Sequence, residues 1–316
     1  MAAARRVGDL VLLSGCLDVA AQAELGAGRY NNARQLGAER HRLVRDLPRY
    51  DIRAGYEISD SRSITVAVAA GDLPGALSMA DQATSDAIVA DQPMTLFRRV
   101  IALALRGEFD AAIADAAGMW ESWLRAGAPP GQWMAPAAYA GELVHGLRGD
   151  REDAREWRIR AAKLVAGQNR KNIVFFAAFS DARVALHQGE YDQAARALGA
   201  LGIGERPWYD DNQHSDYDAY AWALAAEVAV VASLPGASHL LAVAEPAGQE
   251  NLWAAACLAR AKGRLHADRG ALEESLAGWQ RIGSQFERAC TLLLIPELAE
   301  QGRAELLALG CPEPAI

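Results

Sequence analysis

Apolar positions recur along the chain at the three- and four-residue spacing of amphipathic helices, and no convincing alternating strand pattern appears. A glycine turn repeatedly interrupts the helical runs, with an alanine five residues after the glycine. This pattern occurs at Gly28, Gly71, Gly107, Gly149 and Gly189, with Ala33, Ala76, Ala112, Ala154 and Ala194 as the alanines, and weaker copies follow at Gly236 and Gly270. Glycine favours the left-handed conformation that ends a helix, and a small alanine lets the next helix approach closely. The pattern therefore predicts a series of helical hairpins.

The predicted hairpins fill the chain from end to end. They lie near 5–46, 54–90, 93–126, 134–166, 172–201, 214–246, 249–283 and 285–309. One hairpin cannot bury its apolar face alone, so neighbouring hairpins must stack. We therefore expect an all-α protein, a right-handed α-solenoid of about eight hairpins that forms a single domain over residues 1–316.

Composition supports helices and excludes some partners. Hydrophobic residues make up 51% of the chain but aromatic residues only 7%, and alanine and leucine, both strong helix formers, carry most of the apolar content. The net charge is −8, which argues against direct binding of nucleic acid. No basic run is present that would hold an anionic membrane surface.

Cysteine usage favours a reducing compartment. Cys16, Cys257, Cys290 and Cys311 form no C-x-x-C pair, which predicts free thiols and a cytoplasmic protein. An alternative is a lipoprotein cleavage box, because "LLSGC" ends at Cys16 behind two arginines. Asp9 interrupts the apolar segment in front of that box, and no apolar run reaches the length of a membrane span.

The hairpin array resembles the tetratricopeptide-like superfamily, although it departs from the 34-residue unit and lacks the W-x-x-L-G-x-x-Y pattern. Two segments look like the helical sensor region of large actinobacterial regulators, the LuxR-type and cyclase-linked ATPases related to the maltose regulator. They are "MWESWLRAGAPPGQWMAPAAYAGELVHGLRGD" (119–150) and "LAGWQRIGSQFERACTLLLIPELAEQGRAELLALG" (276–310). This resemblance implies the fold and a regulatory, ligand-sensing role. Such regions usually adjoin a nucleotide-binding module, yet no G-x-x-x-x-G-K-[ST] motif occurs here.

Motifs for metal or nucleophilic chemistry are lacking. The six histidines are spread over five of the predicted hairpins, and neither H-E-x-x-H nor G-x-S-x-G occurs. "ELVH", Glu142 to His145, has the E-x-x-H spacing of di-iron bundles, but no second pair accompanies it. We interpret it as a helix-surface pair and predict no metal and no cofactor.

The stretch "RPWYDDNQHSDYDAYAW", 206–222, is the densest in acidic and aromatic residues. A class I terpene synthase holds magnesium with an aspartate-rich motif, but Asp216 comes one residue too late for D-D-x-x-D and the second metal motif is absent. We therefore interpret the stretch as a loop and a helix start. The candidate caps are Asp211, Asn212 and Ser215, while Tyr217 and Tyr220 should face inward.

Binding on the concave face remains the main functional hypothesis. Asp218 and Trp222 are four residues apart on a helix flank, where a carboxylate beside an indole could receive a cation; an ordinary exposed pair is the alternative. First helices of neighbouring hairpins add further groove candidates, namely Phe176, Arg183, Tyr139, Glu142, His145 and Trp253. We predict a non-catalytic regulatory module that binds a peptide, a protein partner or a small effector. An enzyme that uses the same pocket is the alternative; an open groove would favour a peptide, and a closed pocket a small effector.

Overall fold

The computed structural model describes residues 2–44, 46, 62–84, 93–167, 170–205, 207–210 and 213–315. Within these ranges the chain forms 17 α-helices and no strand. The helices are α1 (Ala2–Val7), α2 (Leu10–Gly26), α3 (Tyr30–Val44), α4 (Arg62–Ala69), α5 (Leu73–Thr84), α6 (Pro93–Arg106), α7 (Phe109–Arg125), α8 (Ala135–Arg148), α9 (Arg151–Val165), α10 (Lys171–His187), α11 (Tyr191–Gly199), α12 (Asp218–Val231), α13 (Ala237–Glu250), α14 (Leu252–His266), α15 (Arg269–Ile282), α16 (Gln285–Leu292) and α17 (Ala299–Ala308). Short 3₁₀ segments cover Gln132–Met134, Trp208–Asp210 and Pro296–Leu298.

From α2 onward the helices pack as neighbouring pairs, α2 with α3 through to α16 with α17, which confirms the all-helical, paired architecture. First helices also touch the first helices of adjacent hairpins, in a row that runs α2, α4, α6, α8, α10, α12 and α14. Parts of the second predicted hairpin, 54–61 and 85–90, lie outside the described residues. None of the described helices is both long and apolar enough to cross a bilayer.

The five strong turn glycines adopt the predicted left-handed conformation, with φ between 71° at Gly28 and 84° at Gly149. Most of the alanines that follow them are fully buried between the paired helices. The prediction of a turn at Gly270 is wrong, because Gly270 lies inside α15. There α14 ends at His266, the following Ala267 takes the left-handed conformation with φ of 50°, and the Asp268 side chain caps α15 by accepting the Ala271 amide at 3.3 Å.

Two predicted helix starts differ from the structure. The helix expected over 5–25 breaks at Gly8, whose φ is 76°, because Asp9 caps α2 by accepting the amides of Val11 and Leu12. The "LLSGC" stretch lies inside α2. The helix expected from residue 214 begins at Asp218, and Ser215 does not cap it but donates to the Asp218 carboxylate. The other candidate caps, Asp211 and Asn212, lie outside the described residues.

Contacts between hairpins five apart close the array on itself. The Gly26 carbonyl accepts the His214 amide at 3.0 Å, and the Ala70 carbonyl accepts the Leu252 amide at 3.0 Å. Likewise Ser284 Oγ donates to the Leu105 carbonyl at 2.6 Å. Each bond joins the turn of an N-terminal hairpin to the start of a C-terminal one.

Glycine is needed at these junctions for space as well as for conformation. A Cβ at Gly71 would stand 2.6 Å from the amide nitrogen of Trp253, which is closer than real Cβ atoms come. The close approach encloses the first helices, and in α12 every residue from Asp218 to Val230 is buried.

Candidate functional site

The predicted groove face is packed rather than open. Phe176 and Trp253 are fully buried, Arg183 is 4% exposed and Trp222 is 6% exposed. Aromatic rings of α10, α12 and α14 fill the space between these helices. Phe176 lies 4.6 Å from Tyr217, and Phe179 lies 5.4 Å from Trp253, measured between ring centroids. These aromatic residues therefore belong to the core.

Tyr217 and Tyr220 face inward as predicted, with 3% and 0% exposure. The tryptophans assigned to packing on second helices also behave as expected, since Trp123, Trp157 and Trp279 are buried. Trp120 is half-buried and its ring centroid lies 4.8 Å from that of Trp123.

Asp218 does not form a surface pair with Trp222; its carboxylate is buried and fully used. Its Oδ1 accepts the Ser215 amide at 3.1 Å and also the Ser215 hydroxyl. Its Oδ2 lies 2.8 Å from Lys171 Nζ and 3.2 Å from His214 Nδ1. We call Lys171, Trp208, His214, Ser215 and Asp218 the helix-start clasp.

The helix-start clasp ties the first hairpin to the sixth. His214 Nε2 lies 2.7 Å from the Trp208 carbonyl, and the imidazole stacks on the Trp208 indole with centroids 4.0 Å apart. The Trp208 indole in turn donates to the Gly28 carbonyl at 3.2 Å. Because every polar group of the clasp has a partner, it serves structure.

Asp216, the third acid of the rejected magnesium motif, lies beside the clasp. Burial, with the nearby Asp218 charge, raises the pKa of Asp216 to about 6. The side chains of Asp210 and Asp211 lie outside the described residues.

A second buried polar group, the arginine–glutamate cluster, consists of Arg183, Glu227, Arg260 and Glu287. Each of its members is at most 4% exposed. Arg183 donates two hydrogen bonds to Glu287, from Nε to Oε1 at 2.7 Å and from Nη2 to Oε2 at 3.0 Å. Arg260 grips Glu227 the same way, at 2.5 and 2.8 Å, and also reaches Glu287 Oε2 at 2.7 Å.

Electrostatics keep this cluster ionised. Burial alone would raise the pKa of Glu287, but the charges and hydrogen bonds of Arg183 and Arg260 outweigh it and lower the pKa to about 2. Neighbouring groups use the remaining polar atoms. Cys257 Sγ donates to Glu227 Oε2 at 3.3 Å, and Arg260 Nη1 reaches Thr291 Oγ1 at 3.3 Å.

A small cavity of about 30 Å³ adjoins the cluster. Besides Arg183, Arg260, Glu227 and Cys290, its walls include His187, Tyr191, Arg264, Pro314 and Ala315. Arg264 is half-buried, makes no ion pair with any described acid, and its Nε has no hydrogen-bond partner. Burial lowers the Arg264 pKa, and the nearby Glu227 charge offsets only part of that effect.

His187 is a second buried ionisable group at this cavity. It is 2% exposed, and its ring nitrogens make no hydrogen bond of good geometry, although the Pro312 backbone lies within reach of the ring. Burial, helped by the Arg183 charge, lowers its pKa to about 4, so His187 is neutral at pH 7. Among the described residues, three arginines therefore face two glutamates in the cluster and the adjoining cavity, an excess of one positive charge.

The C-terminal segment forms the outer wall of this cavity. The Ala315 amide donates to the His187 carbonyl at 3.1 Å, and the Tyr191 hydroxyl donates to the Ala315 carbonyl at 2.7 Å.

The other groove candidates, on α8, do not converge. Glu142 Oε1 accepts from Arg158 Nε at 2.5 Å, while its Oε2 is buried without a partner, and burial raises the Glu142 pKa. Tyr139 is half-buried. His145 points elsewhere, with Nδ1 3.5 Å from Asp150 Oδ2 and 3.8 Å from Asp153 Oδ2. The interpretation of Glu142 and His145 as a surface pair is wrong, since they are only 9% and 8% exposed.

Sequence reasoning missed Glu227, Glu287 and His187. A signal was present: Glu227 is the only charged residue inside the apolar run "AYAWALAAEVAVV". A charge on a helix that is apolar all round must be buried, and buried charges need partners.

A scan of known protein-family models finds no match to this chain, and a search of curated proteins finds no similar sequence.

Proposed function

We propose that this chain is a non-catalytic regulatory module of the cytoplasm that senses a small anionic effector. In this proposal the hairpins form a right-handed, tetratricopeptide-like α-solenoid. The arginine–glutamate cluster lies in its interior. The left-handed glycine turns and the row of first helices support this architecture.

The charge imbalance around the interior cavity carries the proposal. Arg183 and Arg260 are neutralised by two glutamates, whereas Arg264 has no acid partner among the described residues. A buried cation without a counter-ion is costly, and an anionic ligand would remove that cost. Planar guanidinium groups suit a carboxylate or phosphate best, because they donate two parallel hydrogen bonds.

The small size of this cavity favours a small effector over a peptide that threads along a groove. The cavity of about 30 Å³ has room for about one water molecule. An effector would therefore enter by displacing the segment around Pro314 and Ala315. Two hydrogen bonds hold Ala315, so its release is a modest local opening.

A second candidate, peptide binding, is favoured by one observation on the outer surface. Glu142, Arg158, Asp181 and Arg196 line an open groove of about 560 Å³, where the buried Glu142 Oε2 lacks a partner. This groove suits a basic peptide side chain that could reach Glu142.

The effector proposal is tested with inorganic phosphate, succinate and glutarate as probes, by thermal unfolding and titration calorimetry. We expect at least one anion to raise the melting temperature by several degrees, because a ligand at 100 times its Kd adds about 2.7 kcal/mol. Arg264→Gln should abolish that shift and leave the fold intact. The control Arg155→Gln removes an exposed charge from α9 and should keep the shift.

Equal anion responses in wild type and Arg264→Gln would place binding elsewhere. The absence of any response to all three anions would count against the proposal. Glu142→Gln alters only the outer groove. If this variant still binds the anion, the anion site is not in that groove.

A further inference from the structure

Three side chains converge at the turn between α8 and α9. They are His145 in the last turn of α8, Asp150 just before α9, and Asp153 in the first turn of α9. One ligand atom from each lies within 4.8 Å of the other two. The arrangement comes from the glycine turn, since Gly149, with φ of 84°, reverses the chain and brings Asp150 back towards His145.

The histidine is what distinguishes this turn from an ordinary acidic helix start. His145 is only 8% exposed, and its buried Nδ1 has no hydrogen-bond partner while it faces both aspartates. Buried ring nitrogens normally have partners. The His145 Nδ1 atom has no such partner and faces two carboxylates, so it is placed to bind a cation together with them.

The Asp150 side chain also does not cap α9. Asp150 occupies the position before α9 where an aspartate usually accepts an amide hydrogen, yet it makes no capping bond. Arg148, at the end of α8, is engaged elsewhere, because it pairs with Asp110 at 2.7 Å and donates to the Leu309 carbonyl at 3.0 Å.

We propose that His145, Asp150 and Asp153 form a binding site for a divalent first-row transition-metal ion. Zinc bonds to nitrogen and oxygen of about 2.0–2.2 Å place tetrahedral ligand atoms roughly 3.3–3.5 Å apart. The 3.5 and 3.8 Å separations from Nδ1 are close to that spacing, so only small side-chain shifts are needed.

The mixed ligand set selects the class of metal. Imidazole nitrogen suits Zn²⁺, Ni²⁺ and Fe²⁺, whereas Ca²⁺ and Mg²⁺ prefer all-oxygen sites. Two carboxylates neutralise the double charge of the ion. Asp150 and Asp153 are 51% and 60% exposed in their side chains, so the ion has a route from solvent and room for water ligands. The site does not depend on the effector proposed for the interior.

The test uses tag-free, chelator-treated full chain, with Zn²⁺ in titration calorimetry and Co²⁺ for its visible absorption. We expect one equivalent of Zn²⁺ at this site. The double substitution Asp150→Asn/Asp153→Asn changes exposed side chains only and should weaken binding more than about tenfold. His145→Gln should do the same and should change the Co²⁺ spectrum by removing the nitrogen ligand.

The matched control is Glu190→Gln/Asp192→Asn. It removes two exposed acids at the corresponding start of α11 and should bind zinc like wild type. Unchanged zinc affinity in Asp150→Asn/Asp153→Asn, or no binding by wild type at millimolar Zn²⁺, would overturn the proposal. So would displacement of zinc by millimolar Ca²⁺, which would indicate attraction to the carboxylates alone. Should His145→Gln fail to fold, the surface double variant still decides.

Discussion

The helix-start clasp and the arginine–glutamate cluster are both buried and charged, but they differ in how completely their polar groups are matched. In the clasp, both carboxylate oxygens of Asp218 are occupied, one by Ser215 and the other by Lys171 and His214. In the cluster, the ion pairs are well formed, yet beside them Arg264 Nε and the His187 ring nitrogens make no hydrogen bond of good geometry. The fully bonded clasp holds two hairpins together, whereas the incompletely bonded cluster is where we propose that an anion binds.

The largest expected effect is the loss of a charge inside the cluster. Glu287→Gln leaves Arg183 and part of Arg260 without a counter-ion, which should lower the free energy of unfolding by about 3–5 kcal/mol. Urea unfolding at pH 7 measures this. The control Glu274→Gln, exposed on α15, should stay within about 0.5 kcal/mol of wild type. A small effect of Glu287→Gln would mean that the cluster is as dispensable as a surface pair.

His187 should make the cluster side of the molecule sensitive to acid. Its pKa is about 4 in the folded protein and 6.5 ordinarily, so between these values the unfolded chain binds more protons. Folding stability therefore falls as the pH drops from 6.5 to 4, by about 3 kcal/mol from this residue.

Urea unfolding free energies of wild type and His187→Gln, measured across that pH range, isolate the contribution. Over this pH range His187→Gln should lose less stability than wild type. The control His239→Gln, at an exposed position on α13, should lose as much stability as wild type. Parallel pH profiles for wild type and His187→Gln would contradict the prediction.

The smallest effect is expected in the clasp region, where single bonds are removed. The Tyr30 hydroxyl donates to the Ser215 carbonyl at 2.6 Å, so Tyr30→Phe should cost about 1 kcal/mol. Chemical unfolding of wild type and Tyr30→Phe measures the change. A loss as large as that of Glu287→Gln would erase the proposed distinction between the two regions.

Local patterns predicted the hairpins well because turn chemistry and helical periodicity are short-range. The glycine turns and most boundaries follow from residues within one helix of each other. The clasp and the cluster could not be predicted this way, since Arg183 and Glu287 are 104 residues apart. The sequence suggested an exposed pair at Asp218 and Trp222 because a helical wheel shows one helix and cannot show what covers it. The proposed metal ligands His145, Asp150 and Asp153 were not predicted from the sequence, because their spacing across a turn matches no familiar motif.

The bonds between hairpins five apart have a consequence for how the protein is made. The Tyr30 hydroxyl bonds to the Ser215 carbonyl, 185 residues later in the chain. The Asn251 side chain bonds to the Ala69 carbonyl, 182 residues earlier. At a synthesis rate of roughly 5–20 residues per second, the first hairpins leave the ribosome roughly ten to forty seconds before their partners exist. During that interval the turn carbonyls and first-helix faces are uncovered. The first hairpins would therefore be the part of the nascent chain most dependent on chaperones.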